Sequence, residues 1–503
     1  MRDPGQLERR PLHRHLHLRQ VARALRVRDL PQDRARVSDR GAPAASRRGP
    51  DGRAAAPGGQ RIEPLRHLGR FRLVAIGINS VIGGGIFILP AEVAGLIGPT
   101  SIVAYVVAGV VVIGVGLALA SLASRYETSG GPYLYVRGAF GEFAGFQTGW
   151  LFCLARLTAM AGLVNGFARY LGALLPWAAD PIGRAAAIIA CSAVIISINM
   201  IGIRQTSGAS NLFAVAKVLP LIILAIGGLF FLHAENFTPQ SFEGMSFLRA
   251  VLLLIFAFSG FEILTVPAEE SHRPRRDIPF AVIATILTVC AIYLPVHLVA
   301  TGMLHDLASE QAPLAAAALI LAGPIGRYAM TFIAATSMAG CALISLVGGT
   351  RLMYSMSSAR QIPRFMGSLH AGWRTPVRAT LLMGVIGTAL AITSVYSTLA
   401  AISAGTRLLV YLACCLACLR GPRSASGVAP SAGRAVEPSG ARRRMIPALT
   451  AIAIMALLCA LKGEEIAGGL AGIAIGTVLY FGMMLSPGAR RGRAAEAVGG
   501  TTP

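Results

Sequence analysis

The chain has 503 residues, of which 54% are hydrophobic and only 14% are charged, and its mean hydropathy is +0.62. A soluble domain of this size carries far less apolar surface, so the composition excludes an ordinary soluble protein and favours a chain that the bilayer solvates. The formal net charge of +23 would suggest nucleic-acid binding in a soluble protein, but the arginines crowd into the N-terminal region and a subset of loops, without a nucleic-acid-binding motif.

Residues 1–65 are rich in Arg, Pro, Gly and Ala and show no hydrophobic periodicity, which predicts a disordered tail. The segment lacks the apolar core of a signal peptide. A translation start assigned too far upstream would explain it as well as a native tail does, so both interpretations stay open.

Twelve apolar runs follow, each close to the roughly 20 residues that a membrane-spanning helix needs. They occupy residues 71–97, 102–123, 143–175, 185–203, 212–232, 247–266, 280–303, 328–354, 379–395, 399–419, 445–461 and 466–485. The predicted fold class is an all-α polytopic membrane protein of about twelve transmembrane helices. We expect a ten-helix core over residues 66–420, a cytoplasmic loop over 421–444, helices 11 and 12 over 445–486, and a cytoplasmic tail over 487–503.

Alternate loops between these runs hold the basic residues. They contain Arg125 and Arg137, then Arg204, then Arg273, Arg275 and Arg276, then Arg360, Arg364, Arg374 and Arg378, and finally the arginines of residues 420–444. The intervening loops at 233–246 and 304–323 are nearly free of basic residues. Because cytoplasmic loops carry the excess of Lys and Arg, both termini are predicted to be cytoplasmic. The large excess of Arg over Lys is typical of a GC-rich bacterial genome, so we expect a multi-pass protein of the cell inner membrane.

Three consecutive glycines, Gly83, Gly84 and Gly85, lie near the middle of the first apolar run. Each costs a helix about 0.8–1 kcal/mol relative to Ala, which predicts an unwound segment. Unwound backbone at membrane depth must be buried in protein or line a cavity. It leaves free N–H groups at the start of a second half-helix, which suit a carboxylate. A glycine face for close helix packing is the alternative.

The sixth run carries a second interruption signal, with Ser259 and Gly260 next to the acidic Glu262. Runs one and six are the first helices of two successive five-helix sets, and the odd number inverts the second set relative to the first. Interruptions in corresponding helices of two such sets indicate the binding site of an inverted-repeat transporter. The prediction is a 5+5 inverted-repeat core with discontinuous helices 1 and 6, and it depends on position, not on a residue-level repeat.

Three segments, taken in order, resemble the amino acid-polyamine-organocation permeases. Residues 77–90 (GINSVIGGGIFILP) are similar to the first-helix signature of that family, and residues 256–279 (FAFSGFEILTVPAEESHRPRRDIP) are similar to its sixth helix and following loop. Residues 351–376 resemble its eighth-to-ninth loop. The resemblance covers about residues 71–419 and implies a ten-helix inverted-repeat core followed by two further helices.

The resemblance also implies a substrate site at the two breaks. The glycine triplet would offer N–H groups to a substrate carboxylate, the carbonyls of Val81, Phe256 and Ser259 would receive the α-ammonium, and Phe256 would close over the substrate as a gate. The residues predicted to bind substrate are Val81, Ile82, Gly83, Gly84, Gly85, Ile86, Phe256, Ser259, Gly260 and Phe261. Members of that family often carry Ser at the position of Gly84. Gly84 lacks that hydroxyl, so no side-chain contact from this position to the carboxylate is expected.

Lys217 and Glu262 are the candidates for proton coupling. Lys217 lies inside the fifth run, where a charge costs roughly 2.5–3.5 kcal/mol on insertion scales, so it is a functional candidate by default. The resemblance adds that proton-coupled members have a fifth-helix lysine in the place where sodium-coupled relatives bind their ion. Snorkelling to the cytoplasmic edge is the alternative for Lys217. For Glu262 a structural hydrogen-bonding role is the alternative.

Other polar residues inside the apolar runs need partners. Arg156 and Arg407 require an acidic group or water, and Arg156 with Glu262 is a conceivable pair. Asn79, Asn165 and Asn199 suit hydrogen bonds between helices. Cys414, Cys415 and Cys418 have helical spacing without a His or acidic partner, so packing is expected there and no metal site.

The resulting expectation is a secondary active transporter that takes up amino acids by alternating access, through proton-coupled symport. The apolar segments around the breaks favour neutral L-amino acids, while Glu262 leaves cationic substrates open. An amino-acid exchanger or an amine or polyamine carrier is the alternative within transport. An enzyme would show a cluster of titratable residues, and a channel would show a polar filter or charged rings, so neither is expected. The expected partners are the lipid bilayer, the amino-acid substrate and a coupling H⁺. No cofactor, metal, nucleic acid or obligate protein partner is expected.

Overall fold

A computed structural model of the chain describes residues 69–126, 130–202, 207–266, 271–370, 372–421 and 441–485. The predicted N-terminal and C-terminal tails lie outside these residues, as do most of the predicted loop at 421–444 and the acidic part of the loop that follows the sixth run.

The described residues form helices and no strands. The first eight helices are α1 (Arg70–Val81), α2 (Gly84–Ile97), α3 (Ser101–Ala123), α4 (Pro132–Phe140), α5 (Glu142–Gly172), α6 (Pro181–Ile201), α7 (Ser207–Gly227) and α8 (Gly244–Phe258). They are followed by α9 (Pro274–Met303), α10 (Pro313–Ser358), α11 (Val377–Thr393), α12 (Tyr396–Arg420), α13 (Ala441–Leu458) and α14 (Gly463–Leu485).

Each of the twelve predicted apolar runs is occupied by one or more of these helices, so the predicted all-helical architecture is confirmed. Within the described residues, eight helical segments are long and apolar enough to cross a membrane, and one of them, Gly84–Ala123, contains both α2 and α3. Three shorter apolar helices lie at Gly244–Phe258, Val377–Thr393 and Arg444–Leu458. Helices suit the bilayer because they satisfy their own backbone hydrogen bonds. The count of twelve crossings and the inverted repeat stay predictions.

Local sequence explains where several helices begin and end. Asp180 caps α6 by accepting hydrogen bonds from the N–H groups of Ile182 and Gly183, and Pro181 occupies the first helical position, where no N–H is needed. The basic segment between the second and third runs is not simply a loop, because α4 forms there. It starts at Pro132 and stops at Gly141, whose φ is 96°.

The helix α10 begins well before the predicted start of the eighth run, and it is interrupted. Ala322 and Gly323 leave helical geometry, with φ of −138° and 65°. Pro324 follows directly and cannot donate a backbone hydrogen bond, so it favours a break at this point. The sequence signal was present in the Gly-Pro pair, but it fell outside the predicted run.

Packing brings the two interrupted elements together. The helix α2 packs against α8, and α1 packs against α7 and α9. The helix α5 packs against α10 and α12. Residues of α5, α10 and α12 border the space between the two breaks.

Candidate functional site

The first break separates α1 from α2. Ile82 (φ −71°, ψ 87°) and Gly83 (φ −124°, ψ −139°) are not helical, and α2 restarts at Gly84. No side chain caps the N-terminus of α2. The first N–H groups of a helix have no partner within it, and they form the positive end of its dipole. The unwound segment predicted from the glycine triplet is therefore present, with free donors beside it.

The second break follows α8. Ser259 is extended, and Gly260 has φ of +123°, a conformation that L side chains rarely adopt. A Cβ on Gly260 would also lie 2.6 Å from the carbonyl oxygen of Ser80, so only glycine fits. The Ser80 hydroxyl donates to the Gly260 carbonyl at 3.2 Å. The two breaks thus contact each other directly.

A small cavity lies at this junction of the two breaks. Seven of the ten predicted substrate-binding residues line it: Val81, Gly83, Gly84, Gly85, Phe256, Ser259 and Gly260. The lining also contains residues that the prediction did not include, namely Ser80, Arg156, Ala159, Leu163, Cys341, Ser345 and Arg407. Most of these added residues come from α5, α10 and α12, and only their packing against the breaks brings them into the site.

Three predicted residues, Ile82, Ile86 and Phe261, lie outside this lining. The side chains of Ile82 and Ile86 are fully buried in the packing between helices. The Phe261 ring stacks on Tyr411 with its centroid 5.9 Å away, beyond the second break. These three residues were predicted because they are next to the breaks in the sequence. They are not among the residues that line the cavity.

The glycine triplet serves packing as well as the cavity. A Cβ on Gly85 would overlap the backbone of Ala257, so this glycine allows α2 to cross α8 at close range. At Gly84 a Cβ would lie 3.0 Å from Leu163 and 3.1 Å from the hydroxyl of Tyr396. The packing alternative therefore applies to Gly85, while Gly84 faces a polar group that the sequence did not indicate.

Internal donors already occupy two of the three carbonyls predicted to receive an ammonium group. The Val81 carbonyl accepts from the Tyr293 hydroxyl at 3.2 Å. The Phe256 carbonyl accepts from both the N–H and the hydroxyl of Ser259, at 3.2 and 2.7 Å. Since a carbonyl oxygen has two lone pairs, an ammonium contact to Phe256 requires Ser259 to turn away.

Phe256 projects its ring toward Tyr396, in an edge-to-face pair with centroids 6.0 Å apart. Tyr396 also lines a second, larger cavity, together with Glu92, Arg169 and Arg184. The aromatic pair therefore lies between the cavity at the two breaks and this second cavity. This is a suitable position for the gate that the resemblance assigns to Phe256.

Lys217 on α7 is buried, with 5% of its surface exposed, so the snorkelling alternative is wrong. Its Nζ donates to the carbonyls of Asn79 and Ile82, each at 3.2 Å, and lies 3.6 Å from the Cys341 sulfur. The ammonium therefore caps the C-terminal end of α1, where carbonyls lack partners and the helix dipole is negative. It lies directly behind the first break and not in the cavity lining.

Glu262 is part of a buried ionic cluster. It pairs with Arg407, and Arg156 lies 3.7 Å away, so the pair predicted between Arg156 and Glu262 is confirmed. Glu262 also accepts from the Gly260 N–H at 2.7 Å and from the Tyr411 hydroxyl at 3.1 Å. These contacts favour the structural alternative for Glu262, because its carboxylate holds the second break in place.

Two of the three asparagines join helices as predicted. Asn165 donates to the carbonyls of Ala391 and Ser394, each at 2.9 Å, and Asn199 donates to the Thr380 hydroxyl at 3.1 Å. The Asn79 side chain differs, because its Oδ1 has no partner among the described residues. Asn79 contributes its backbone carbonyl to Lys217 instead.

Comparison with known proteins agrees with this geometry. A family model described as "Amino acid permease" matches residues 68–462. The chain is 27% identical over 345 residues to the branched-chain amino acid permease BcaP of Bacillus subtilis, covering 64% of this chain and 73% of the relative. It is 25% identical over 324 residues to the serine/threonine exchanger SteT of the same organism, covering 62% and 73%.

An uncharacterized transporter of Mycobacterium tuberculosis is similar over a longer stretch. It is 29% identical over 425 residues, which cover 83% of this chain and 91% of the relative. The match to the family model extends from the start of α1 to the turn after α13 and so includes both breaks and the cavity. The chain therefore belongs to the amino acid permease family, within the amino acid-polyamine-organocation transporters.

Proposed function

We propose that this protein takes up α-amino acids across the cell inner membrane by proton-coupled symport, through alternating access around the cavity at the two breaks. The observation that carries the proposal is the uncapped N-terminus of α2, which lies in the wall of a cavity that the interrupted end of α8 also lines. Free N–H groups at a helix start suit the α-carboxylate that all amino acids share. Both termini are proposed to be cytoplasmic, on the side of the basic loops.

The proposed coupling residue is Lys217. Its ammonium donates to the carbonyls at the end of α1, and the Ile82 carbonyl is adjacent to Gly83 in the cavity wall. Loss of the proton would weaken the interaction with the negative end of the α1 dipole and release the first break. Protonation is thereby linked to the backbone that grips the substrate.

Replacing Lys217 by Met tests this role, because Met keeps the length of the side chain but carries no proton. Uptake is measured in proteoliposomes for each of the twenty amino acids, with and without an imposed inward proton gradient. We expect Lys217→Met to lose accumulation driven by the gradient while it keeps exchange of labelled for unlabelled substrate. Lys462→Met is the matched control, because Lys462 is exposed and the chain has no other lysine. An undiminished gradient response in Lys217→Met would rule out the role.

Exchange is the second candidate, because the serine/threonine relative is named as an exchanger. Uptake that is stimulated by amino acid on the opposite side, without accumulation in a gradient, would favour it. An amine or polyamine carrier has less support. Among the described residues, Glu262 is the acidic group beside the second break, and it is fully buried and paired with two arginines.

The charge of the substrate side chain is a separate question. The apolar segments around the breaks favour a neutral side chain, and the relatives named for branched-chain amino acids and for serine and threonine carry neutral ones. The residues that line the cavity nevertheless include Arg156 and Arg407. Their positive charges favour a substrate whose side chain is negatively charged.

A further inference from the structure

The buried charges beside the cavity do not cancel. Glu262 is the one carboxylate among the described residues that pairs with Arg156, and the same carboxylate pairs with Arg407. Its remaining contacts are the Gly260 N–H and the Tyr411 hydroxyl, which are donors as well. The side chains of both arginines are only 3% exposed, and that of the glutamate is not exposed at all. One carboxylate thus faces two guanidinium groups, which leaves one buried positive charge.

Arg156 holds this excess charge, because its guanidinium has hydrogen-bond donors without acceptors. The Glu262 oxygen is 3.7 Å away, beyond hydrogen-bond length, whereas Arg407 donates to that oxygen directly. Within the part of the chain that the structure describes, Arg156 makes no hydrogen bond, and its guanidinium lies 4.9 Å from the centre of the Phe152 ring. Arginine has five N–H donors, and a buried charge is costly unless it is paired and hydrogen-bonded. Since Arg156 lines the cavity, a ligand in the cavity is what these donors can meet.

Two helices give the separation between this guanidinium and the glycine triplet. On α5, Leu163 lies 3.4 Å from the Cβ position of Gly83, seven residues after Arg156. On α10, the Cys341 sulfur lies 3.1 Å from that same position, and Gly348 lies against the guanidinium with its Cβ position 3.2 Å from Arg156 Nη1. Seven residues of helix rise about 10 Å. On both helices, the backbone position beside Gly83 and the one beside the Arg156 guanidinium are therefore about 10 Å apart.

This separation matches a dicarboxylic amino acid. The two carboxyl carbons of glutamate are about 5 Å apart across four C–C bonds of roughly 1.5 Å. With a C–O bond of about 1.2 Å and a hydrogen bond of about 2.9 Å at each end, the fully extended span is about 13 Å, so a bent side chain covers about 10 Å. An apolar side chain of the same length would leave the Arg156 donors unpaired, and an amide would offer them one neutral acceptor oxygen in place of a charged carboxylate.

We propose that the cavity binds an amino acid whose side chain ends in a carboxylate, which accepts hydrogen bonds from Arg156 while the α-carboxylate lies at the N-terminus of α2. The proposal rests on the proposed function and deepens it, since it names the substrate class for the same site. It replaces the neutral side chain expected from the apolar segments. Ser345, in the same wall, supplies a further hydroxyl for the side-chain carboxylate.

The test compares each acid with its isosteric amide on the purified full-length protein. Thermal stabilisation is titrated with L-glutamate against L-glutamine, and with L-aspartate against L-asparagine, using L-leucine as an apolar reference. We expect one acid to stabilise the protein at a concentration at least about tenfold lower than its amide does, which corresponds to roughly 1.4 kcal/mol.

Stabilisation by amides or L-leucine but not by either acid would overturn this proposal and leave the proposed function standing. Stabilisation by none of the twenty amino acids, together with no uptake, would overturn both. The titration is repeated with chloride replaced by gluconate. If chloride alone stabilises the protein as much as the acid does, the site holds a small inorganic anion and the proposal is wrong.

The variant Arg156→Gln assigns the effect to this residue. It is expected to bring the acid-to-amide ratio close to one, while Arg156→Lys keeps a preference for the acid because it keeps the charge. Arg364→Gln is the matched control, because Arg364 is exposed and outside the cavity lining. An unchanged ratio in Arg156→Gln would overturn the role of Arg156. If that variant does not fold, the acid-to-amide ratio of the wild-type protein and of Arg156→Lys still decides the proposal.

Discussion

Tyr396 places its hydroxyl beside the glycine triplet, 3.1 Å from the position that a Cβ on Gly84 would take. The hydroxyl is buried and has no partner among the described residues. The Tyr396 hydroxyl therefore lies in contact distance of the first residue of α2. A carboxylate bound at the N-terminus of α2 would be within reach of this donor.

Tyr396→Phe should therefore weaken substrate binding without lowering stability. A neutral hydrogen bond is worth about 0.5–1.5 kcal/mol, so affinity should fall by up to about tenfold. The apparent melting temperature of the substrate-free protein should stay the same or rise, because the mutation removes a buried hydroxyl that has no partner. Ligand titration by thermal shift measures both quantities.

The control for this prediction is Tyr170→Phe. The Tyr170 hydroxyl is buried and donates to the Phe87 carbonyl at 2.6 Å, so its loss leaves an acceptor unpaired and should lower the melting temperature. Equal melting temperatures for the two variants, or unchanged affinity in Tyr396→Phe, would contradict the role assigned to Tyr396.

Individual residues differ in how far sequence could identify them. Gly83 and Gly260 could be predicted because a glycine inside an apolar run conflicts with helix propensity, and Lys217 because a charge does not belong in lipid. Tyr396 carried no such signal, since a tyrosine near the start of an apolar run is ordinary. Its missing partner is visible only once the helices are packed.

At the scale of helices, a buried ion pair anchors the interrupted helix α8 to α14. The two terminal nitrogens of the Arg249 guanidinium, Nη1 and Nη2, donate to the Glu465 carboxylate on α14. Glu465 also accepts from the Lys462 N–H at 2.9 Å, which caps the start of α14. Since α8 ends in a break at Ser259, this bidentate contact fixes the half-helix near its other end.

Glu465→Gln should destabilise the protein by about 3–5 kcal/mol, because it leaves the Arg249 charge buried without its counter-ion. The measurement is the melting temperature of the purified protein in detergent. Glu464→Gln, at the exposed neighbouring position, should have little effect. A double variant, Arg249→Met with Glu465→Leu, should be less destabilised than Glu465→Gln; the opposite order would contradict this account.

The helical elements were largely predictable, but their interruptions were predictable only in part. The breaks after Val81 and after Phe258 followed from glycines at mid-run. The break in α10 at Ala322 and Gly323 was missed, and so was α4, because neither lies inside a long apolar run. Hydrophobic length identifies the long helices, whereas the short helix α4 and the break in α10 are marked only by single Gly and Pro residues.

At the scale of the whole molecule, the orientation in the membrane gives a testable prediction. The turn between α13 and α14 contains Cys459, which is exposed, while six of the other seven cysteines are buried and Cys290 is half-buried. The proposed cytoplasmic position of both termini, with the predicted helices 11 and 12 as the last pair, predicts that this turn is on the outer side.

A membrane-impermeant maleimide should therefore label Cys459 in intact cells whose outer permeability barrier has been removed. The Cys459→Ser variant should lose this labelling and serves as its control. Labelling that appears only after the inner membrane is disrupted would place the turn in the cytoplasm and reverse the proposed orientation.

The sequence by itself determined that this protein is a membrane protein and that it is helical. It also determined where the two principal breaks lie and which family the chain belongs to. These properties depend on apolar length, on glycine position and on short motifs, all of which are local along the chain. Tertiary structure alone decided that Glu262 is paired with Arg156 and Arg407, that Lys217 caps α1, and that the cavity carries an excess positive charge. Charge balance and hydrogen bonding depend on distances between residues far apart in sequence, and packing sets those distances.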